Sequence, residues 1–166
     1  MTNKDILVLV NSGCQSITNH DLSDAHAYKV YKFKKALREA LEARQAEEKI
    51  IAEGEKIDNL TAFLNNPETP KNKEQLARIK GLIDSLNASD VKASIFEGVK
   101  TMPYSEWRKL QNENRRVPIS FTDKNGDERN ITLDVLVGHV EEILEGVLWD
   151  APEDEDAPKK STSKKK

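Results

Sequence analysis

Cysteine is almost absent: Cys14 stands alone in 166 residues, which excludes an intrachain disulfide and a cysteine-based zinc site. Long apolar runs are missing as well. No stretch approaches the roughly 20 apolar residues of a membrane span. The run Ile6-Leu7-Val8-Leu9-Val10 after Lys4-Asp5 is too short for a signal-peptide core. The chain is therefore expected in the cytoplasm, with no membrane partner. Apolar residues make up 37% and charged residues 33%, so a modest core and much solvated helix are expected. Neither charge sign dominates: 26 Lys+Arg against 29 Asp+Glu leave −3, which argues against a globally basic nucleic-acid binder but not against a local basic patch. Catalytic signatures are also missing. There is no G-x-S-x-G, no glycine-rich phosphate loop and no His-Glu-x-x-His. The expectation is a protein that is not an enzyme, with no catalytic residue, cofactor or metal to assign.

What is present is mostly helical pattern. Residues 3–16 admit two readings. Ile6-Leu7-Val8-Leu9-Val10 before Asn11-Ser12-Gly13 suits a buried strand ending in a turn. A helix capped by Asn3 would place Ile6, Leu7, Val10 and Cys14 on one face, and Asp5 in its first turn favours that reading. Asp21 or Ser23 can cap a long helix to about Glu53, with Gly54 as its stop. Its apolar stripe runs Val30, Phe33, Leu37, Ala40, Leu41, thins over Arg44, Glu47 and Glu48, and returns at Ile50 and Ile51. Such a helix stands partly clear of a core.

Residues 57–64 suit a short helical turn. Thr69 and Pro70 suit the cap and first position of a further helix with the stripe Leu76, Ile79, Ile83, Leu86, packed antiparallel to the long one. Residues 91–99 read as extended, with Ile95 and Phe96 buried. Ser105 then caps a short helix to about Asn114, facing Trp107 and Leu110 inward. Period-two alternation in Val117-Pro118-Ile119-Ser120-Phe121-Thr122, then Asn125-Gly126, then Arg129-Asn130-Ile131-Thr132-Leu133 predicts a β-hairpin. A lone ribbon is marginal, and a terminal helix over residues 133–149 with a wide apolar face is expected to cover it.

The expected fold class is thus mainly α with a small β element (α+β). A long helix pairs with a second helix, and a C-terminal hairpin packs on a terminal helix. Residues 1–149 form a single domain, helical over about 1–90 and hairpin-helix over about 91–149. Residues 150–166 hold five acidic residues followed by five lysines, with too little apolar surface to offset ordering, so a disordered acidic-then-basic tail is expected.

The densest positive stretch is Lys29, Lys32, Lys34, Lys35 and Arg38, interleaved with Tyr28, Tyr31 and Phe33. Cations neutralise phosphates and aromatic rings stack on exposed bases, so nucleic acid is one candidate partner. The plainer reading is a solvated helix face. His20, Asp21, Asp24 and His26 are weak metal ligands, since capping already explains Asp21. Asp123, Asn125 and Asp127 imitate a calcium loop, but Glu128 stands where its glycine belongs. His139 is expected in or beside the core, and Cys14 as an inert buried thiol. Trp107 and Trp149 read as core anchors.

Thr2-Asn3-Lys4-Asp5-Ile6-Leu7, then residues 28–35 with their Tyr-Lys pattern, then the Glu/Ala/Lys-rich residues 36–53, resemble small uncharacterised proteins of bacteriophages and prophages. The resemblance covers about the first third of the chain. It implies a phage accessory or assembly-related protein in the host cytoplasm and carries over no catalytic residue. The leading expectation is a non-enzymatic interaction protein with a protein partner or a second copy of itself. A nucleic-acid-binding module using residues 29–38 is the alternative.

Overall fold

The computed structural model describes residues 1–66, 72–122 and 126–152, with the side chains of Val117, Pro118, Ile119 and Leu133 outside that description. The first apolar run is helical: α1 spans Asn3–Asn11. Its cap is Thr2 rather than Asn3. Thr2 Oγ1 accepts from Asp5 N–H, and the Asp5 carboxylate accepts from Thr2 N–H at 2.7 Å, a reciprocal capping box. Asn3 instead lies in the helix and donates its side-chain amide to Ser89 Oγ at 2.9 Å. Gly13, at φ +82°, turns the chain after α1 into a short 3-10 turn, Cys14–Ser16.

The long helix α2 spans Asp24–Gly54, 31 residues or about 46 Å. Ser23 is its N-cap residue, but the Ser23 hydroxyl sits 3.0 Å from His26 Nδ1 instead of bonding the helix N–H groups. A short helix α3, Leu60–Asn65, follows, capped by the Asn59 side chain. Helix α4 spans Lys73–Ala88. Its cap is Asn72, whose Oδ1 accepts from Glu74 N–H at 2.8 Å; the expected cap Thr69 and Pro70 lie outside the described residues. Arg78 of α4 meets Glu55 at 2.7 Å, and Arg44 of α2 meets Asn87 at 2.8 Å, so α2 and α4 run antiparallel as the paired stripes require.

Two cores form along α2. The larger joins Ile6, Leu9, Cys14, Val30, Phe33, Leu37, Met102, Trp107, Leu110, Val135, Leu136, Leu144, Leu148 and Trp149. Each fully buried large side chain contributes roughly 1.5–3 kcal/mol. The smaller core is Ala52, Leu60 and Ile79, with Ile51, Ile57, Phe63, Leu64 and Ile83 around it. Between them the stripe position is Arg44, buried at 4% exposure, with Nη1 donating to Glu48 and Nη2 to Asn87. Where the stripe thins, Arg44 is therefore a buried polar joint to α4, while Glu47 is exposed.

Residues 91–99 are not an extended segment. They hold a one-turn helix, α5 (Ala93–Phe96), with Ile95 and Phe96 half-buried and Phe96 beside Phe33. Helix α6 spans Tyr104–Glu113, with Pro103 at the N-cap position expected for Ser105. The expected hairpin forms: β1 (Val117–Thr122) pairs antiparallel with β2 (Glu128–Leu133), Ile119 opposite Ile131. Asp123 and Asn125 of its turn, and with them the calcium-loop resemblance, lie outside the described residues. Phe121 and Ile131 are 45% and 41% exposed.

The terminal helix is much shorter than the apolar pattern implies. Helix α7 is only His139–Leu144. Gly138 at φ +58° and Gly146 at φ +72° bound it, conformations that no continuing right-handed helix contains. Val135, Leu136, Leu148 and Trp149 still reach the core, but from turns on either side. Trp107 and Trp149 stack with centroids 5.6 Å apart and planes at 11°, and the Tyr104 ring lies tilted against Trp149 at 5.5 Å. Met102 N–H donates to Leu148 O at 2.8 Å and Asp150 N–H to Met102 O at 3.2 Å, which ties residues 148–150 beside α6. No helix among the described residues is long and apolar enough to cross a membrane.

Candidate interaction surface

The five cations of the basic stretch do not form one patch. At about 100° per residue, Val30, Phe33 and Leu37 define the inward face of α2, and Lys29 and Lys34 fall on its two flanks. Both are half-buried and used structurally. Lys29 Nζ donates to Thr101 O at 2.6 Å, and Lys34 Nζ donates to Ile17 O at 3.0 Å. Each ammonium thus fastens a loop to α2 through a charge-assisted bond to a backbone carbonyl.

Lys32, Lys35 and Arg38 fall on the outer face, together with Tyr28 and Tyr31. The two tyrosines are 57% and 59% exposed, with ring centroids 6.0 Å apart and planes at 23°. Lys32 Nζ stands 5.4 Å from the Tyr28 centroid, within cation–π range. Lys35 and Arg38 are exposed and have no ion-pair partner among the described residues. Exposed Asp24, Glu39 and Glu42 bound the surface along the same face. The outcome is a compact aromatic and basic platform about three turns long.

The platform rests on a fixed base. Asn114, fully buried, holds the loop that leads into α2: its Oδ1 accepts from Thr18 N–H at 2.7 Å, and its Nδ2 donates to Thr18 O and Leu110 O, both at 2.8 Å. Glu113 accepts from His20 N–H at 2.8 Å and from Asp21 N–H at 3.1 Å. Burial pushes the Glu113 carboxyl up, but the donors Asp21 N–H, the Thr18 hydroxyl and His20 N–H outweigh it and hold the group below the ordinary carboxylate range. One helical turn on, His26 Nδ1 lies 3.3 Å from Glu106 Oε2. The Lys109 ammonium hydrogen-bonded to Glu106, helped by His26, keeps that carboxyl low as well.

The remaining candidates are separated. His20 is exposed, His26 is turned to Ser23 and Glu106, and no group of three or more potential metal ligands occurs among the described residues. His139 is at the surface, not beside the core, with Nδ1 3.2 Å from Glu142 and its side chain 65% exposed. It begins the six-residue α7, whose apolar face is carried by Val140, Ile143 and Leu144 and does not include it. Cys14 is fully buried, and burial pushes its thiol up to about 12. A cleft of about 310 Å³ opens beside Arg44, between α2, the end of α4 and residues 89–95. Its charged lining, Arg44, Glu47, Asp90 and Lys92, mixes both signs and sets no nucleophile beside a base. Arg44, read from the sequence as a gap in the apolar stripe, is inward-facing, as its spacing of four from buried Ala40 requires.

The chain matches no protein-family model, no curated protein and no solved structure.

Proposed function

We propose that this chain is a non-enzymatic interaction protein that docks a protein partner on the outer face of α2. The observation that carries the reading is the pair of solvent-exposed tyrosines side by side on a rigid helix, framed by the cations Lys32, Lys35 and Arg38. Tyrosine and arginine dominate binding energy at protein interfaces, because a ring buries much area at little entropic cost. The cations select an acidic surface on the partner and speed encounter. The resemblance of the first third to phage and prophage proteins supplies a setting, an accessory or assembly role.

The second reading, a nucleic-acid-binding module, is favoured by the same rings and cations. It is the weaker one on two counts. The two rings already lie against each other, which leaves only their outer faces for bases. Only three cations line the face before Glu39 and Glu42, so a phosphate backbone would meet like charge within two turns.

Affinity capture with the full chain and with the Tyr28→Ala/Tyr31→Ala variant tests the reading. Loss of a central aromatic anchor of about 2 kcal/mol lowers retention on the order of 30-fold. Equal retention by both chains contradicts the proposal. Binding of single-stranded DNA or RNA that weakens steeply with salt and is lost in Lys32→Glu/Lys35→Glu would replace it with the second reading.

A further inference from the structure

We infer that the acidic segment Glu153, Asp154, Glu155 and Asp156 of this same chain is an occupant of the Tyr28, Lys32, Lys35 surface, and so competes with an acidic partner for it. The place where the described chain ends points there. Asp150 Oδ2 accepts from the Thr101 hydroxyl at 2.5 Å, and the carbonyl of the same Thr101 accepts from Lys29 Nζ at 2.6 Å. Asp150 is therefore held beside Lys29, one turn below Lys32 on α2.

The reach is ample. Asp156 is six residues beyond Asp150, up to about 20 Å of extended chain. Lys35 is six residues beyond Lys29, only about 9 Å along the helix axis. The charges are complementary. Four consecutive carboxylates face three cations, of which Lys35 and Arg38 have no ion-pair partner among the described residues. The order of charge along the chain also matters. The acids come first, at short tether and hence at an effective concentration in the millimolar range, and the five lysines follow only after Pro158. A tether this short makes weak exposed ion pairs worth forming, while salt and a tighter acidic partner both displace them.

That the contact forms does not depend on the proposed docking role; that it regulates recognition does. Two measurements separate the two. Amide chemical shifts of the full chain are compared with those of Glu153→Gln/Asp154→Asn/Glu155→Gln/Asp156→Asn at about 20 mM and about 500 mM salt, where screening lengths differ severalfold. Outside the substituted segment and its sequence neighbours, differences confined to residues 28–38 are expected at low salt. They should vanish at high salt, vanish in the Lys32→Glu/Lys35→Glu background, and persist on dilution. No difference over residues 28–38, or a difference lost on dilution because it comes from a second copy, overturns it. Binding of an oligo-glutamate peptide is then measured on both chains. Roughly two- to fivefold tighter binding by the neutralised variant at low salt, closing to equality at high salt, supports competition. Shift differences without any oligo-glutamate binding support the contact and overturn the docking role instead.

Discussion

Asn114→Ala puts the base of the α2 platform to a quantitative test. The side chain is fully buried and makes three good bonds: from Thr18 N–H at 2.7 Å, and to Thr18 O and Leu110 O at 2.8 Å. Each such bond has a net worth of about 0.5–1.5 kcal/mol, and truncation leaves both ends of Thr18 without their partner. Thr18 itself is exposed, so water recovers part of its bonding. About 2–3 kcal/mol is therefore the expected cost, which for a chain of this length lowers the melting temperature by roughly 4–12 °C. Urea unfolding followed by tryptophan fluorescence reads it directly, since Trp107 and Trp149 lie in the same core. Asn114→Asp keeps an acceptor for Thr18 N–H but sets a carboxylate oxygen against two carbonyls, so it should cost at least as much at neutral pH. An Asn114→Ala chain within about 0.5 kcal/mol of the parent, at unchanged denaturant slope, would refute the role given to this side chain.

Three further outcomes are expected. Glu113 has a folded-state pKa held below its ordinary value, so its contribution is complete above about pH 4.5 and is lost as pH falls through the lowered pKa; Glu113→Gln should flatten the acid limb of a stability-versus-pH curve. With a pKa near 12, Cys14 presents about one thiolate in ten thousand at pH 8, so a disulfide reagent should label it only through unfolding and rapidly in denaturant. Arg44→Leu should lie within about 1 kcal/mol of the parent, because half-exposed Glu48 and Asn87 regain water, whereas Arg44→Ala should lose about 2–3 kcal/mol of packing; equal costs in equilibrium unfolding would contradict the polar-joint account.

The parts of the fold legible in the sequence are those whose periodicity runs long. The stripe Val30, Phe33, Leu37, Ala40 spans enough turns to fix α2, and alternation on both sides of Asn125-Gly126 places the two strands of the hairpin. The terminal helix misled because Leu136, Val140, Leu144 and Leu148 recur every four residues, the spacing of a helix face, while belonging to a turn, a six-residue helix and a second turn. Gly138 and Gly146 were the signals that break the pattern. Residues 91–99 misled because β-branched Val91, Ile95 and Val99 suit a strand, yet no partner strand exists for them among the described residues, and the backbone closes its own turn at Ala93–Phe96. The caps differ for a simpler reason. Thr2 with Asp5 three residues on is a complete capping box, which Asn3 is not. The candidate surface was legible as composition but not as geometry. Lys29 and Lys34 are adjacent to the outer cations in sequence and opposite in role, because their flanking positions bring carbonyls of residues 17 and 101 within reach.

The most direct test of the outer face of α2 as the recognition surface is site-specific photo-crosslinking in the cells that make the protein. A photoreactive residue replaces Lys35 on that face in one chain and Lys80, exposed on α4, in another. A discrete cross-linked partner is expected from position 35 that disappears in the Tyr28→Ala/Tyr31→Ala background, and none from position 80. Equal cross-linking from both positions, or none from position 35, would contradict it.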